Sequence, residues 1–274
     1  MSRSHVMRAA DERELGAVWA AVGAAHLFKT REDFEAVWRD APWRIQVSEA
    51  GDAALVGVWR SHSGLLAVQG LWCAERDMAS ILRDLGSLAR SQGFSGLLSP
   101  LVAEGLSAPY VAAGMQVVHR GITLRLDRPG DQEPPAVPGV GLRLAGAADI
   151  EALERVDGAC FDDFWRFDAP TLRRYLAAER ATAAIRGGSV IGYTLCTVSR
   201  GDGMLGRLAV MPEERGRGIG ALLLGDAVAF MARAGARAVT LYTQEENVSS
   251  RALYARGGFR ELPGASCFLT MGVG

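Results

Sequence analysis

The sequence repeats one order of predicted elements on the two sides of a proline-rich segment, and this repetition constrains its fold more than any other feature. Three residue pairs match at an offset of 144 positions (254 minus 110): Tyr110 with Tyr254, Gly114 with Gly258, and Met115 with Phe259. Because these matches share one register and accompany the same element order, they favour an internal duplication over coincidence. The sequence therefore predicts two similar domains.

The segment from Pro129 to Pro138 separates the two halves. It is rich in proline, glycine and charged residues, and such a stretch does not sustain a regular ladder of backbone hydrogen bonds. We therefore predict one domain over 1–128, a linker over 129–138 and a second domain over 139–274. The length of 274 residues agrees with two domains of roughly 150 residues each.

The second half is predicted to contain both strands and helices. The strands are expected near 141–144, 182–185, 190–198, 204–210 and 238–243, with a final pair of strands after the last helix. The helices are expected from Asp149 as N-cap, then over 169–179, 219–234 and 248–256. Apolar residues recur at helical spacing over 219–234, and Gly235 follows as a C′ glycine.

The first half gives a similar pattern. Strands are expected near 6–9, 45–48, 54–60 and 65–71, with a first helix starting at Asp11. A longer helix presents Met78, Ile81 and Leu85 on one face and ends at Gly93. The element order therefore matches that of the second half.

Composition and charge argue against several classes of partner. The formal net charge is −1, whereas a nucleic-acid-binding protein needs a basic surplus or a basic stripe. No stretch reaches the roughly 18 apolar residues of a membrane span, and the N-terminus lacks the apolar core of a signal peptide. We therefore expect a cytoplasmic protein without a membrane or nucleic-acid partner; its oligomeric state is left open.

Cysteine and histidine usage argues against a metal. The four cysteines lie far apart, without a CxxC pair, which favours buried thiols in a reducing compartment: Cys73, Cys160, Cys196 and Cys267. All four histidines lie in the first half, so the second half contains no His-based zinc site or Ser-His-Asp triad of its own.

The most informative stretch runs from Gly206 to Ala221. A predicted strand leads through Pro212 into a glycine-rich loop and then into a helix. The first N–H groups of a helix have no partner inside it, and the helix dipole adds positive charge there. Glycines let a phosphate approach the backbone closely. The stretch therefore predicts a pyrophosphate site, against the alternative of an ordinary turn.

Two motifs in the second half resemble those of the GNAT superfamily of N-acyltransferases. The first is Val210-Met211-Pro212 followed by Arg215-Gly216-Arg217-Gly218-Ile219-Gly220, and the second runs from Asn247 through Leu253-Tyr254 to Gly258-Phe259. The resemblance covers 139–274. It implies an α/β fold of mixed α+β type, with two tandem GNAT-like domains. Each would have a central, mostly antiparallel sheet flanked by helices.

The resemblance also implies where acetyl-CoA, the expected co-substrate, binds without a metal. Backbone groups of Leu208, Ala209 and Val210 would hold the pantetheine arm, and one N–H would polarise the thioester carbonyl. The pyrophosphate would lie on the loop and helix start: Arg215, Gly216, Arg217, Gly218, Ile219, Gly220 and Ala221. Asn247 would hydrogen-bond the pantetheine arm, cap its own helix, or do both.

Tyr254 is the candidate general acid. A phenol with a pKa near 10 can donate a proton to the departing CoA thiolate. The alternative is a tyrosine that only packs beside Leu253, as its counterpart Tyr110 is expected to do.

The general base is less well defined by the sequence. Ribosomal-protein alanine acetyltransferases of the superfamily carry a Glu on the strand before the Asn, and the aligned residue is Tyr242. Glu246 is the first candidate because it adjoins Asn247. Glu245, the acidic pair Asp162 and Asp163, or a chain of water molecules are the alternatives.

The stretch from Cys160 to Asp168 combines aromatic rings and carboxylates between two predicted helices. In the family this region borders the acceptor, so it would suit a cationic amine. The alternative is that the rings only anchor a loop or the two domains. The expected partner is a small-molecule or peptide amine.

The first half is interpreted as a degenerate copy. Its strand enters the next helix through Trp72–Asp77 without a glycine, and Asp77 is expected to cap that helix. The register partner of Asn247 is Ala103. The sequence therefore favours an acyl-CoA-dependent N-acetyltransferase with one active domain, and the alternative is a non-catalytic acyl-CoA sensor or scaffold.

Overall fold

The computed structural model describes residues 4–22, 28, 30–60, 62–131 and 133–273. The chain divides into two compact units. Unit 1 comprises Met1–Arg120 together with Ser266–Gly274, and unit 2 comprises Gly121–Ala265. This division differs from the predicted domains. Residues 121–128 belong to unit 2 and not to the first domain, and residues 266–274 belong to unit 1 and not to the second domain.

Unit 1 is an α/β unit with a mixed sheet. Its elements are β1 (Arg8–Ala9), α1 (Leu15–Val22), α2 (Arg31–Asp40), β2 (Ile45–Val47), β3 (Ala53–Trp59), β4 (His62–Trp72), α3 (Glu75–Ser91), β5 (Gly96–Leu98), β6 (Val102–Ala103) and α4 (Ala108–Ala112). Strands β1 to β5 lie in chain order, and all neighbours are antiparallel except the parallel pair β4 and β5. The strand β7 (Gln116–Asp127) then leads into unit 2.

Unit 2 contains the glycine-rich turn for which the sequence predicts a pyrophosphate site. Its elements are β8 (Gly141–Leu144), α5 (Ile150–Cys160), α6 (Ala169–Ala178), β9 (Arg180–Arg186), β10 (Ser189–Ser199), β11 (Asp202–Val210), α7 (Ile219–Arg233), β12 (Ala238–Gln244), α8 (Val248–Arg256) and β13 (Arg260–Gly272). Its sheet runs β7-β12-β11-β10-β9-β8 and is antiparallel except for the pair β11 and β12. The predicted mostly antiparallel sheets with flanking helices are confirmed.

Two strands pass from one unit to the other. Residues 121–127 of β7 pair with β12, so the first half of the sequence completes the sheet of unit 2. Residues 270–272 of β13 pair with β5, so the end of the chain completes the sheet of unit 1. The final pair of strands expected from the sequence is therefore wrong, since one long strand takes its place.

Local side-chain contacts fix the helices of unit 2. Asp226 interrupts the apolar face of α7, and Arg180 and Thr182 on β9 bond its carboxylate at 2.7 and 3.0 Å.

The ends of two helices test the predicted caps. Gly235 follows α7 with φ of +84°, as predicted. Asp149 does not cap α5 with its side chain, because its carboxylate instead accepts from Gly146 N and Arg143.

The proline-rich segment is packed on unit 2 along α7. A Cβ on Gly225 would lie 3.0 Å from Pro134, and a Cβ on Gly218 would lie 3.4 Å from Val137. Val137 also packs against the apolar cluster that contains Ile219 and Leu223. The segment therefore joins the halves and also covers the start of α7.

Leu269 tests the strand exchange. Its side chain is fully buried in the core of unit 1 although it lies five residues from the end of the sequence. We expect Leu269→Ala to lower the free energy of unfolding by about 2–5 kcal/mol, because it removes core contacts and leaves a cavity. Denaturant unfolding would measure this. The control Leu106→Ala changes a 69% exposed leucine of the same unit and should cost less than about 0.5 kcal/mol. Equal losses of unfolding free energy in the two variants would contradict the placement of Leu269 in the core of unit 1.

Candidate functional site

Two parallel strands separate at the centre of unit 2. Strands β11 and β12 pair over Asp202–Met204 and Ala238–Thr240, and no further registered pair joins them in the described part of the chain. The last residues of β11, Leu208 to Val210, line a cavity of about 510 Å³. The edge of β11 that faces β12 is therefore open to a ligand where the strand ends.

The glycine-rich turn lines the same cavity. Gly216 and Gly218 have φ of +74° and +83°, values that favour glycine over any residue with a Cβ. Gly218 is the N-cap of α7 and provides no side chain to cap the helix. The first intrahelical bond of the turn is Leu222 N to Gly218 O. The first N–H groups of α7 are thus left for a ligand, as an anion site requires.

The two predicted arginines of the turn differ in placement. Arg215 lines the cavity, and its Nε donates to the carbonyl oxygen of Val210 at 3.1 Å. Arg217 is exposed and lies 3.3 Å from the carboxylate of Glu214, which also pairs with Arg186. Both charges lie within one turn of the open amides, where they favour an anion.

Asn247 reaches the cavity from the start of α8. Its side-chain oxygen accepts a hydrogen bond from Ser250 N at 3.2 Å, so it caps the helix. The same residue lines the cavity. The two roles left open by the sequence are therefore compatible, because the cap uses the oxygen and the amide nitrogen stays available as a donor.

Tyr254 is held in the core of unit 2. It is 7% exposed and its ring lies 6.0 Å from that of Phe259. Burial raises its pKa to about 12. It is not among the described residues that line the cavity, although its neighbour Leu253 is.

The candidate bases lie at the surface. Glu245 and Glu246 are exposed in the turn before α8, and neither belongs to the described lining of the cavity. At the position aligned with the family's Glu, Tyr242 packs its ring 6.2 Å from Trp165. Asp162 caps its own loop, where its carboxylate accepts from the backbone N–H groups of Phe164 and Trp165.

Several lining residues were not among the cofactor-binding residues proposed from the sequence, although Cys160 and Phe161 belong to the stretch expected to border the acceptor. They are Cys160, Phe161, Glu214, Ser249, Ser250, Ala252, Leu253 and Arg256. Cys160 donates from Sγ to the carbonyl oxygen of Val210 at 3.2 Å, and burial raises the pKa of its thiol. The residues on α8 follow Asn247 at helical spacing, so this spacing was the available signal. The placement of Cys160, Phe161 and Glu214 beside the end of β11 arises only in the folded structure, and no local sequence pattern indicates it.

In unit 1, the described helix start that follows β4 differs from that of α7. Helix α3 begins after Ala74, which has the extended conformation of an ordinary N-cap and no side-chain cap. Asp77 is therefore not the N-cap that the sequence suggested, but it lies in the first turn with Glu75. These two carboxylates repel a phosphate from the helix start.

The described residues supply no metal site and no spanning helix. Over 4–22, 28, 30–60, 62–131 and 133–273, no group of three or more His, Cys, Asp or Glu side chains is placed to hold a metal ion. In the same ranges, no helix has the length and apolar character that crossing a membrane requires.

Comparison with known sequences gives the family. Residues 150–259 match the model of the Acetyltransferase (GNAT) family. The chain is also 30% identical over 121 residues to the ribosomal protein bS18-alanine N-acetyltransferase of Haemophilus influenzae, a match covering 42% of this chain and 78% of that protein. This chain belongs to the GNAT acetyltransferase family.

Comparison with solved structures shows that the GNAT arrangement extends over both units. A tandem GNAT protein from the clavulanic acid biosynthesis pathway aligns with a TM-score of 0.70 and 19% identity, covering 98% of each chain. A GCN5-related N-acetyltransferase from Sphaerobacter thermophilus aligns with a TM-score of 0.66 and 19% identity, covering 99% of this chain and 97% of that one. These similarities show the fold, and the predicted tandem organisation is confirmed.

Ala221 offers a direct test of the anion site. It lies in the first turn of α7 and lines the cavity. We expect Ala221→Glu to weaken binding of acetyl-CoA by at least about tenfold, because the carboxylate repels the pyrophosphate. Isothermal titration would measure the dissociation constant.

The matched control is Ala221→Gln, which has nearly the same size without the charge and should bind more tightly than the Glu variant. An acidic residue in the first helical turn also suits the helix dipole, so the fold should persist. Equal affinity of the two variants would place the pyrophosphate elsewhere.

Proposed function

We propose that this protein is an acyl-CoA-dependent N-acyltransferase that transfers acetyl from acetyl-CoA to a primary amine by direct attack. The observation that carries the proposal is one cavity bounded by the end of β11 and by the uncapped start of α7. The end of β11 suits the extended thiol arm of CoA, and the start of α7 suits its diphosphate. Holding both substrates in one site is the main source of rate.

The reaction balances without a covalent enzyme intermediate. The amine nitrogen attacks the thioester carbon, the C–S bond breaks, and CoA leaves as a thiolate that takes up a proton. Leu208 to Val210 would bind the pantetheine arm through the backbone, and one N–H would stabilise the oxyanion. The amides of Gly216 to Ala221, with Arg215 and Arg217, would bind the pyrophosphate, and Asn247 would donate to the pantetheine arm.

Tyr254 keeps the role of general acid in this proposal. With a pKa of about 12 its phenol is protonated at neutral pH, so it is available as a donor. The raised pKa also makes the phenol a weaker acid than the thiol it would protonate. Tyr254 would therefore act mainly by hydrogen-bonding the developing thiolate.

The acceptor is proposed to be a small-molecule or peptide amine. The relative in Haemophilus influenzae is named for alanine of a ribosomal protein, so a peptide α-amine heads the list of candidates. Glu246 stays the first candidate for the base that removes the amine proton. Its exposed position would require the acceptor itself, or a water molecule, to connect it with the cavity.

A non-catalytic acyl-CoA sensor is the second candidate. Two observations favour it: Tyr242 occupies the position of the family's Glu, and Tyr254 lies outside the described lining of the cavity. Such a protein would bind acetyl-CoA without transferring its acyl group.

Titration of acetyl-CoA followed by a CoA-release assay separates the two candidates. The amines would be a peptide with a free N-terminal alanine, a peptide with a lysine side chain, an aminoglycoside and spermidine. We expect saturable binding and release of CoA with at least one of them. Binding without turnover on the whole panel would favour the sensor, and absence of binding would refute both.

Tyr254→Phe tests the general acid. We expect kcat to fall by about 10²-fold, because the donor to the thiolate is lost, while the dissociation constant of acetyl-CoA changes little. Tyr175→Phe, on α6 in the same unit, is the control and should leave both values unchanged. An unchanged kcat in Tyr254→Phe would make this residue a packing residue only.

A further inference from the structure

An ion pair is buried between α5 and β11, outside the cavity itself. Asp157 is fully buried and the side chain of Arg207 is 6% exposed. Their contact is bidentate, with Nε and one terminal nitrogen of Arg207 each 2.7 Å from a carboxylate oxygen. Tyr193 on β10 donates its hydroxyl to the same carboxylate. Replacing a buried ion pair by apolar residues of similar volume often costs no stability. Stability alone therefore does not account for this pair.

The remaining contacts of the pair go to one loop, residues 161–168, between α5 and α6. Arg207 donates to the carbonyl oxygen of Trp165 at 2.7 Å, and Asp157 accepts from Phe167 N at 2.5 Å. The guanidinium also lies between two rings of the loop, 3.6 Å from the centroid of Phe161 and 3.8 Å from that of Phe167. The pair thus fixes both ends of the loop.

One residue of this loop reaches the cavity. Phe161 lines the cavity together with Leu208 to Val210. Arg207 directly precedes Leu208 on β11, so its backbone continues the strand that would hold the thioester. Its side chain holds the loop facing that strand. Arg207 therefore sets the spacing between β11 and the loop 161–168.

We propose that Arg207, held by Asp157, is a positioning residue that fixes Phe161 and the loop 161–168 as the acceptor side of the site. The inference rests on the proposed function. In the described structure, the hydrogen bonds of Arg207 and Asp157 join them to each other, to Tyr193 and to the loop, and none reaches the turn 215–221. We therefore expect the pair to affect binding of the amine and not of the pyrophosphate. A fixed wall lowers the cost of ordering the site around the acceptor.

The test replaces the whole buried group by apolar residues. The variant Asp157→Leu/Arg207→Met/Tyr193→Phe leaves no unpaired buried charge, and it should therefore fold. Three measurements are made: the dissociation constant of acetyl-CoA, KM for the fastest amine of the panel, and tryptic cleavage after Arg166, an exposed residue of the loop.

We expect the acetyl-CoA constant to stay within about twofold, KM for the amine to rise at least about tenfold, and cleavage after Arg166 to accelerate as the loop opens more often. The control Arg233→Gln/Asp131→Asn removes another ion pair of unit 2, 2.5 Å long, between the C-terminal end of α7 and the proline-rich segment. It should leave KM for the amine and cleavage after Arg166 unchanged.

A folded variant with unchanged KM and unchanged cleavage would overturn the inference, as would an equal weakening of acetyl-CoA binding. If the triple variant does not fold, Arg207→Lys keeps the charge but loses the stacking and the fork geometry, and the same readouts apply. Failure of the proposed function would differ, because the wild-type protein would then turn over no amine while cleavage after Arg166 would still report on the loop.

Discussion

The unpaired amides at the start of α7 are the constraint on which the rest of the candidate site depends. They face a cavity because Gly216 and Gly218 turn the chain through positive φ and because no side chain caps the helix. Such amides are satisfied by water or by a ligand, and an anion suits them best. The position of α7 is fixed in turn by Asp226, whose bonds to Arg180 and Thr182 hold the helix against β9.

The other wall of the cavity is the end of β11, which is open because β11 pairs with β12 only near its start. Strands β11 and β12 pair only over their first residues, and β12 gains its other neighbour from residues 121–127. The sheet of unit 2 is therefore completed by the first half of the sequence, as the sheet of unit 1 is completed by residues 270–272. Each half of the sequence therefore supplies a strand segment to the unit that the other half mainly forms.

The buried pair of Asp157 and Arg207 connects this strand to the loop opposite. Burial lowers the pKa of Arg207, but hydrogen bonding to Asp157 and the charge of that residue outweigh burial and raise it, so the guanidinium stays charged. A charged, planar group between two aromatic rings can be held in few orientations. The cost of desolvating the pair is offset by a defined distance between β11 and the loop 161–168.

The sequence by itself indicated the helices of unit 2, its strands β8 to β12 and the glycine turn, because helix periodicity, glycine positions and the two motifs are local signals. It indicated neither the strand segment 121–127 nor the single long strand β13. It also gave Asn247 as both cap and lining residue. Only the tertiary structure decided the strand exchange, since a strand's pattern of apolar residues does not name its partner. The same holds for Phe161, whose ring lies against the guanidinium of Arg207, and for Cys160, whose thiol bonds the carbonyl oxygen of Val210. Tyr254 shows the difference most clearly: its motif position is readable from the sequence, whereas its burial and its pKa of about 12 arise from the packing around it.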